Sequence, residues 1–183
     1  MRISPIGMMG INISDVQLRK CVLSDIGATH CRDIAIESSY SYCIAIRELI
    51  KTGDEVIALA SVDKLKMKWF GELIFPKLIE IDVQKEWSKG WCKTAWYYAF
   101  SSLALKKCLK DAMMHVVLEK GDTDTDACIV GALIGAKIGY SKRDKECVEI
   151  QKIRAKVNSR PVYYHAAVVF DFINYMLYNK HLV

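Results

Sequence analysis

Residues 121–125, Gly-Asp-Thr-Asp-Thr, place two carboxylates and two hydroxyls within four positions, at Asp122, Thr123, Asp124 and Thr125. These are hard oxygen donors, which suit Mg²⁺ or Ca²⁺ rather than zinc. They also precede a stretch with helical character, where Asp and Thr commonly accept hydrogen bonds from free backbone N–H groups. Spacing alone leaves two readings, a metal loop and a helix cap. An EF-hand loop does not fit. Asp122, Asp124 and Asp126 match its first, third and fifth positions, but Ala127 stands where Gly is needed and Leu133 where Glu is needed.

The residues that follow carry a second signal. Gly131, Gly135 and Gly139 recur every four residues, with Ala127, Ala132 and Ala136 among them. A helical Gly costs about 1 kcal/mol relative to Ala. Three on one face predict the close approach of another backbone, and hence an acidic loop at the start of a buried helix. Burying Asp122 and Asp124 there strands negative charge that a cation would offset. This brings the metal reading level with the cap.

Other helices must position that loop. Ser14 and Gln17 have capping-box spacing and predict a helix over 15–26, with Gly27 at its end. Over 32–51, Ala35, Ser38, Tyr42, Ala45, Ile46 and Leu49 recur at three- and four-residue steps, the spacing of one helical face. Gly53 is the expected stop, and Asp54 the expected cap of a short helix through 61. Residues 64–83 contain Pro76 and read as helix-rich. After Gly90, the residues Trp91, Ala95, Tyr98, Ala99, Ser102 and Leu103 share one face. Helices are expected over 109–118, 125–139 and, from Arg160-Pro161, through 178. The sum is a single domain over 1–183 with an all-α fold, packed as an orthogonal helical bundle.

Composition agrees. The chain has 183 residues, 52% hydrophobic and 26% charged, which is enough to bury a core and is not the composition of a disordered segment. Its 3 prolines leave few forced helix breaks. The net charge of +5 is mild and scattered, and names no nucleic-acid partner. The densest basic stretch, Lys-Leu-Lys-Met-Lys-Trp at 64–69, has no interleaved aromatic platform and reads as a solvated face. The 7 cysteines include no C-x-x-C pair, and no signal peptide opens the chain. They are expected to be reduced, mostly buried thiols of an intracellular, cytoplasmic protein. No segment is apolar over the length a membrane helix needs.

Residues 121–140, GDTDTDACIVGALIGAKIGY, resemble the C-terminal signature of the ADP-ribosylglycohydrolase family, of the dinitrogenase reductase-activating glycohydrolase type. Met1-Arg2-Ile3-Ser4-Pro5-Ile6-Gly7 is similar to the family's Met-Arg-x-x-Pro-x-Gly stretch. Thr29-His30, ahead of Ala35 and Tyr42, is similar to its Thr-His segment, and residues 90–120 match the two helices before the metal loop. The resemblance implies an all-α bundle that cleaves the glycosidic bond between ADP-ribose and a modified acceptor, typically with two Mg²⁺ ions. It implies that Asp122, Asp124 and Thr125 are metal ligands, that Gly121 and Thr123 shape the loop beside the ribose, and that His30 lies near the ADP-ribose, at its phosphates. It names no catalytic residue here.

The same resemblance implies an incomplete fold and site. The family's N-terminal Gly-Asp helix start, paired-Asp metal motif and catalytic acidic residue have no counterpart in this sequence. A chain supplying that half, or a self-associated copy, is then an expected partner, alongside the ADP-ribosylated substrate; a membrane and a specific nucleic acid are not. Lys120 replaces a Gly beside the metal loop, and its ammonium either offsets metal charge or points to solvent. Asp126 stands where a neutral residue is usual, as a surface cap, an extra ligand or drift. Two alternatives to a hydrolase stay open: a non-catalytic ADP-ribose or metal-binding remnant, and a helical interaction protein in which Asp122 and Asp124 are caps.

Overall fold

Pro5 in the first turn and the Gly7 contact described below set the first helix of the chain, α1 (Ser4–Met9). The structure is a computed structural model and describes residues 1–70 and 90–139. The expectations for 71–83 and 160–178, and for Cys147, fall outside the described residues. Within them the fold is all-α, with seven α-helices and no strand. After α1 come a 3₁₀ turn (Gly10–Asn12), α2 (Asp15–Gly27), α3 (Asp33–Thr52), α4 (Glu55–Asp63), α5 (Cys92–Ala104), α6 (Leu109–Glu119) and α7 (Thr123–Ile138).

Local side-chain chemistry fixes several of the ends. Ser14 Oγ accepts from the Gln17 N–H, while the Gln17 carboxamide accepts from the Ser14 N–H, closing the capping box that starts α2. Gly53 ends α3 at φ +68, and Asp54 then caps α4 by accepting from the N–H groups of Val56 and Ile57. The turn at α1 was missed in the sequence because six residues are too few to show a period. Residues 64–70, expected to be helix-rich, form turns, with Lys66 at φ +44. The Glu37 carboxylate accepts from the N–H groups of Lys68 and Trp69 and holds that turn against α3.

Two helices form the centre. In α3 every residue from Tyr40 to Arg47 is buried, and in α5 every residue from Thr94 to Leu103. The sequence predicts a single buried face for each, but a helix enclosed on all sides has none. Two buried polar groups on these helices bond across to neighbours, while the buried Ser102 hydroxyl of α5 has no hydrogen-bond partner among the described residues. The Trp96 indole N–H donates to Ser41 Oγ at 2.9 Å, and the Tyr42 hydroxyl donates to the Ile129 carbonyl of α7 at 2.8 Å. Arg47, buried on α3, pairs with Asp15 at the start of α2 at 2.6 Å and with Glu48 at 2.9 Å.

The close backbone approach lies elsewhere than the sequence places it. A Cβ on Gly7 would stand 3.0 Å from Ile46 Cβ and 3.1 Å from Cys43 Cα, so α1 lies directly on α3. In α7 a Cβ on Gly131 would meet only the Met113 side chain of α6, and one on Gly135 would meet nothing within 4 Å. Gly139 lies past the helix end at φ +72. The expected glycine stripe is therefore not a helix–helix seam among the described residues. The buried stripe of α7 is Asp126, Val130, Leu133 and Ile134, which faces α3, α5 and α6.

The cysteines depart from expectation in burial. All six described are free thiols, but only Cys43 is buried; Cys21 and Cys92 are half-buried, and Cys31, Cys108 and Cys128 are exposed. No helix of the described residues is long and apolar enough to cross a membrane.

Candidate functional site

The acidic loop begins where α6 stops. Lys120 ends that helix at φ +64, ψ −169, and Gly121 follows at φ +95. These left-handed positions turn the chain sharply, so that Asp122 becomes the first residue of the next helix to offer its carbonyl, accepting from the Asp126 N–H at 3.0 Å. Asp122 stands at the N-cap of α7, yet its carboxylate makes no capping hydrogen bond. The cap reading of Asp122 therefore lacks its defining contact. The carboxylate turns instead towards Gly90, where a Cβ would come within 3.7 Å of its Oδ2. Gly90 sits at φ +74, a conformation that favours glycine.

The burial of the three carboxylates differs from the prediction. Asp124 is exposed, Asp122 and Thr125 are half-buried, and the enclosed one is Asp126, with 4% of its surface accessible. Asp126 is not a surface cap. Burial, and after it the charges of Asp122 and Asp124, push its carboxyl up to about 6. The signal was present in the sequence: the apolar spacing Val130, Leu133, Ile134 extends one turn back onto Asp126. Negative charge does accumulate at this helix start, but on Asp126 rather than through the burial of Asp122 and Asp124.

Lys120 does not offset that charge through an ion pair, since none of the described residues pairs with it, and it is exposed. The donors at the loop are carboxylate and hydroxyl oxygens, which suit Mg²⁺ in type. They are too few to enclose one. Among the described residues no group of three His, Cys, Asp or Glu is arranged to hold a metal ion. The residues fit one side of a cation site and no more.

His30 lies in the turn after α2 and is exposed. Its backbone N–H donates to the Ile26 carbonyl at 2.7 Å, and its Nδ1 lies 2.9 Å from Thr29 Oγ1. Residues 1–4 connect this turn with the foot of the acidic loop. Arg2 reaches Asp25 and Thr29, while its neighbours Met1 and Ile3 line a cavity of about 100 Å³ together with Ser38, Tyr42, Cys92 and Ile129. Ile129 is one helical turn beyond Thr125, and Cys92 is two residues beyond Gly90. The sequence-predicted residues thus form two separate groups, the turn at His30 and the loop at 121–125, with the start of the chain bonded to the first and lining a cavity beside the helix that follows the second.

Two left-handed residues thus turn an acidic Asp-Thr-Asp-Thr loop into a helix start within an all-α chain, with hard oxygen donors gathered at that start. The family model for ADP-ribosylglycohydrolase matches residues 1–158. The chain belongs to the ADP-ribosylglycohydrolase family. No curated protein and no solved structure matches it.

Proposed function

We propose that the chain supplies one side of a Mg²⁺-dependent site that cleaves the glycosidic bond between ADP-ribose and a modified acceptor, as in the dinitrogenase reductase-activating glycohydrolase type. Asp122, Asp124 and Thr125 would hold the metal, Gly121 and Thr123 would shape the loop beside the ribose, and His30 would meet the phosphates. The observation that carries this reading is the Asp122 carboxylate, which stands at a helix N-cap and is not used to cap it. Bound Mg²⁺ supplies charge that orients ribose hydroxyls and lowers the pKa of a bound water. The role of this chain's residues is to bind and orient: the loop fixes the oxygen donors, and the turn at residue 30 presents an imidazole. The opposing carboxylates and the group that takes a proton from water belong, on this reading, to the family's N-terminal motifs. They would come from a chain carrying the family's N-terminal half or from an associated copy.

Two measurements test this. Thermal melting with and without Mg²⁺ should show a rise in Tm that Asp124→Asn abolishes; saturation at about 100 Kd stabilises by about 2.7 kcal/mol. Release of ADP-ribose should then appear when the N-terminal half is added as a second polypeptide. An inactive pair, under conditions where a full-length family member turns over, removes the hydrolase reading. Calorimetric binding of Mg²⁺ or ADP-ribose without release would leave a non-catalytic binder. No response of Tm to Mg²⁺ would leave a helical interaction protein.

A further inference from the structure

The turn at His30 is held by a chain of hydrogen bonds from the first residues of the protein. Arg2 Nε donates to both carboxylate oxygens of Asp25 at 3.0 Å. Arg2 Nη2 donates to the Asp25 carbonyl at 2.6 Å and to Thr29 Oγ1 at 3.2 Å. Thr29 Oγ1 in turn lies 2.9 Å from His30 Nδ1. The direction of the last bond follows from the first. A guanidinium only donates, so the Thr29 oxygen accepts from Arg2 and keeps its own proton to give. A hydroxyl that accepts from a cation is polarised, which makes it a better donor and a poorer acceptor. The imidazole nitrogen facing it is then the acceptor. In the neutral ring one nitrogen accepts and the other carries the proton.

We infer that Arg2 is a positioning residue for His30: acting through Thr29 Oγ1, it fixes the neutral imidazole as the Nε2–H tautomer. The ring's remaining donor is then Nε2–H, on the side away from Thr29, and it suits an anionic oxygen such as that of a phosphate. Asp25 has a supporting part. Its carboxylate holds the guanidinium in place. The tautomer is a property of the unliganded chain; only the identity of the anion rests on the proposed function.

Nitrogen-15 NMR of the histidine rings in the full chain tests this directly, at a pH of about 8.5 where an ordinary imidazole is neutral. His30→Gln identifies the His30 signals. Wild-type His30 should show a protonated Nε2 and an unprotonated Nδ1. Thr29→Val, which keeps the shape of the side chain at an exposed site, should shift both signals towards a mixture of tautomers. Arg2→Ala should shift them in the same direction, and Thr29→Ser, which keeps the hydroxyl, should restore the wild-type pattern. A protonated Nδ1 in the wild type overturns the inference, as does a pattern left unchanged by either Thr29→Val or Arg2→Ala. Titration with ADP-ribose separates the two claims. If the tautomer is as stated and Nε2 does not respond to the ligand, the phosphate role of His30 falls and the positioning by Arg2 stands.

Discussion

Replacing Lys120 by Gly should make the protein more stable, although Lys120 makes no ion pair among the described residues and is exposed. The reason is its backbone. At φ +64 and ψ −169, Lys120 occupies a region that residues with a Cβ rarely adopt. A residue held in such a region costs about 1–3 kcal/mol. Glycine removes that cost but enlarges the unfolded ensemble, which takes back about 0.4–1 kcal/mol. Taken near the middle of both ranges, the net gain is about 1–2 kcal/mol. For a chain of this size each kcal/mol moves Tm by about 2–4 °C, so Lys120→Gly should raise Tm by roughly 2–8 °C. The charge of Lys120 also changes, next to a loop that is already too negative for Asp126. Lys120→Ala separates the two effects, because it removes the ammonium and keeps the Cβ. Thermal melts and urea denaturation of the three proteins in metal-free buffer should place Lys120→Ala at or below the wild type and Lys120→Gly above it. If Lys120→Ala gains as much as Lys120→Gly, or Lys120→Gly gains nothing, backbone strain at the turn is not the reason.

Other substitutions probe the helices around the loop. Asp126 has its carboxyl raised from 3.8 to about 6 in the folded chain, so its contribution to stability is fully present below 3.8 and is lost as pH rises through about 6. That gap amounts to roughly 3 kcal/mol, so in metal-free buffer urea denaturation should show Asp126→Asn gaining by about that amount on the wild type between about pH 4 and pH 7.5; a flat difference would refute the assignment. Tyr42→Phe removes the hydroxyl that donates to the Ile129 carbonyl and should cost about 1 kcal/mol in the same assay, by weakening the tie between α3 and α7. Gly135→Ala should stabilise by about 1 kcal/mol, because the position is helical and its Cβ meets nothing within 4 Å among the described residues. Gly131→Ala should gain less, since its Cβ would come 3.2 Å from Met113 Sδ, and thermal melts of the pair will rank them.

What could be read from the sequence was the chemistry that acts over a few residues. Ser14 with Gln17, Gly53, and Asp54 mark helix ends because each bonds to, or turns, backbone within one helical turn of itself. The acidic loop belongs to the same class, since its hard oxygens and its position before a helix are local facts. The burial of α3 and α5 on every side was not legible as a face. Residues such as Tyr40 and Tyr97 are enclosed by helices distant in the chain, and periodicity reports only the contrast between one side of a helix and the other. Among the described residues the glycine spacing of α7 marks no backbone-to-backbone approach, for a related reason. A small residue permits close approach without causing it, and the approach occurs at Gly7, where Cys43 and Ile46 supply the opposing surface.

The site shows the same division, with consequences for its chemistry. Asp122, Asp124 and Thr125 could be picked out as a set because they are adjacent, but their surroundings decide what each can do. The inward direction of α7 is set by Val130, Leu133 and Ile134, and the same direction one turn earlier carries Asp126 into the core and leaves Asp124 exposed. The exposed and half-buried carboxylates are therefore the ones free to meet a cation. The buried one adds negative potential behind them, which would favour a cation there if the proposed metal role holds. Arg2, Thr29 and His30 were visible only as separate short matches. Arg2 and Thr29 lie 27 positions apart, so no local spacing rule joins them; the fold does, by laying the start of the chain across the end of α2. Residues 1–4 bond to the turn that presents the imidazole, and line a cavity with Ile129, one helical turn past the oxygen donors. A change at Arg2 should therefore be felt at His30 before it is felt at the acidic loop.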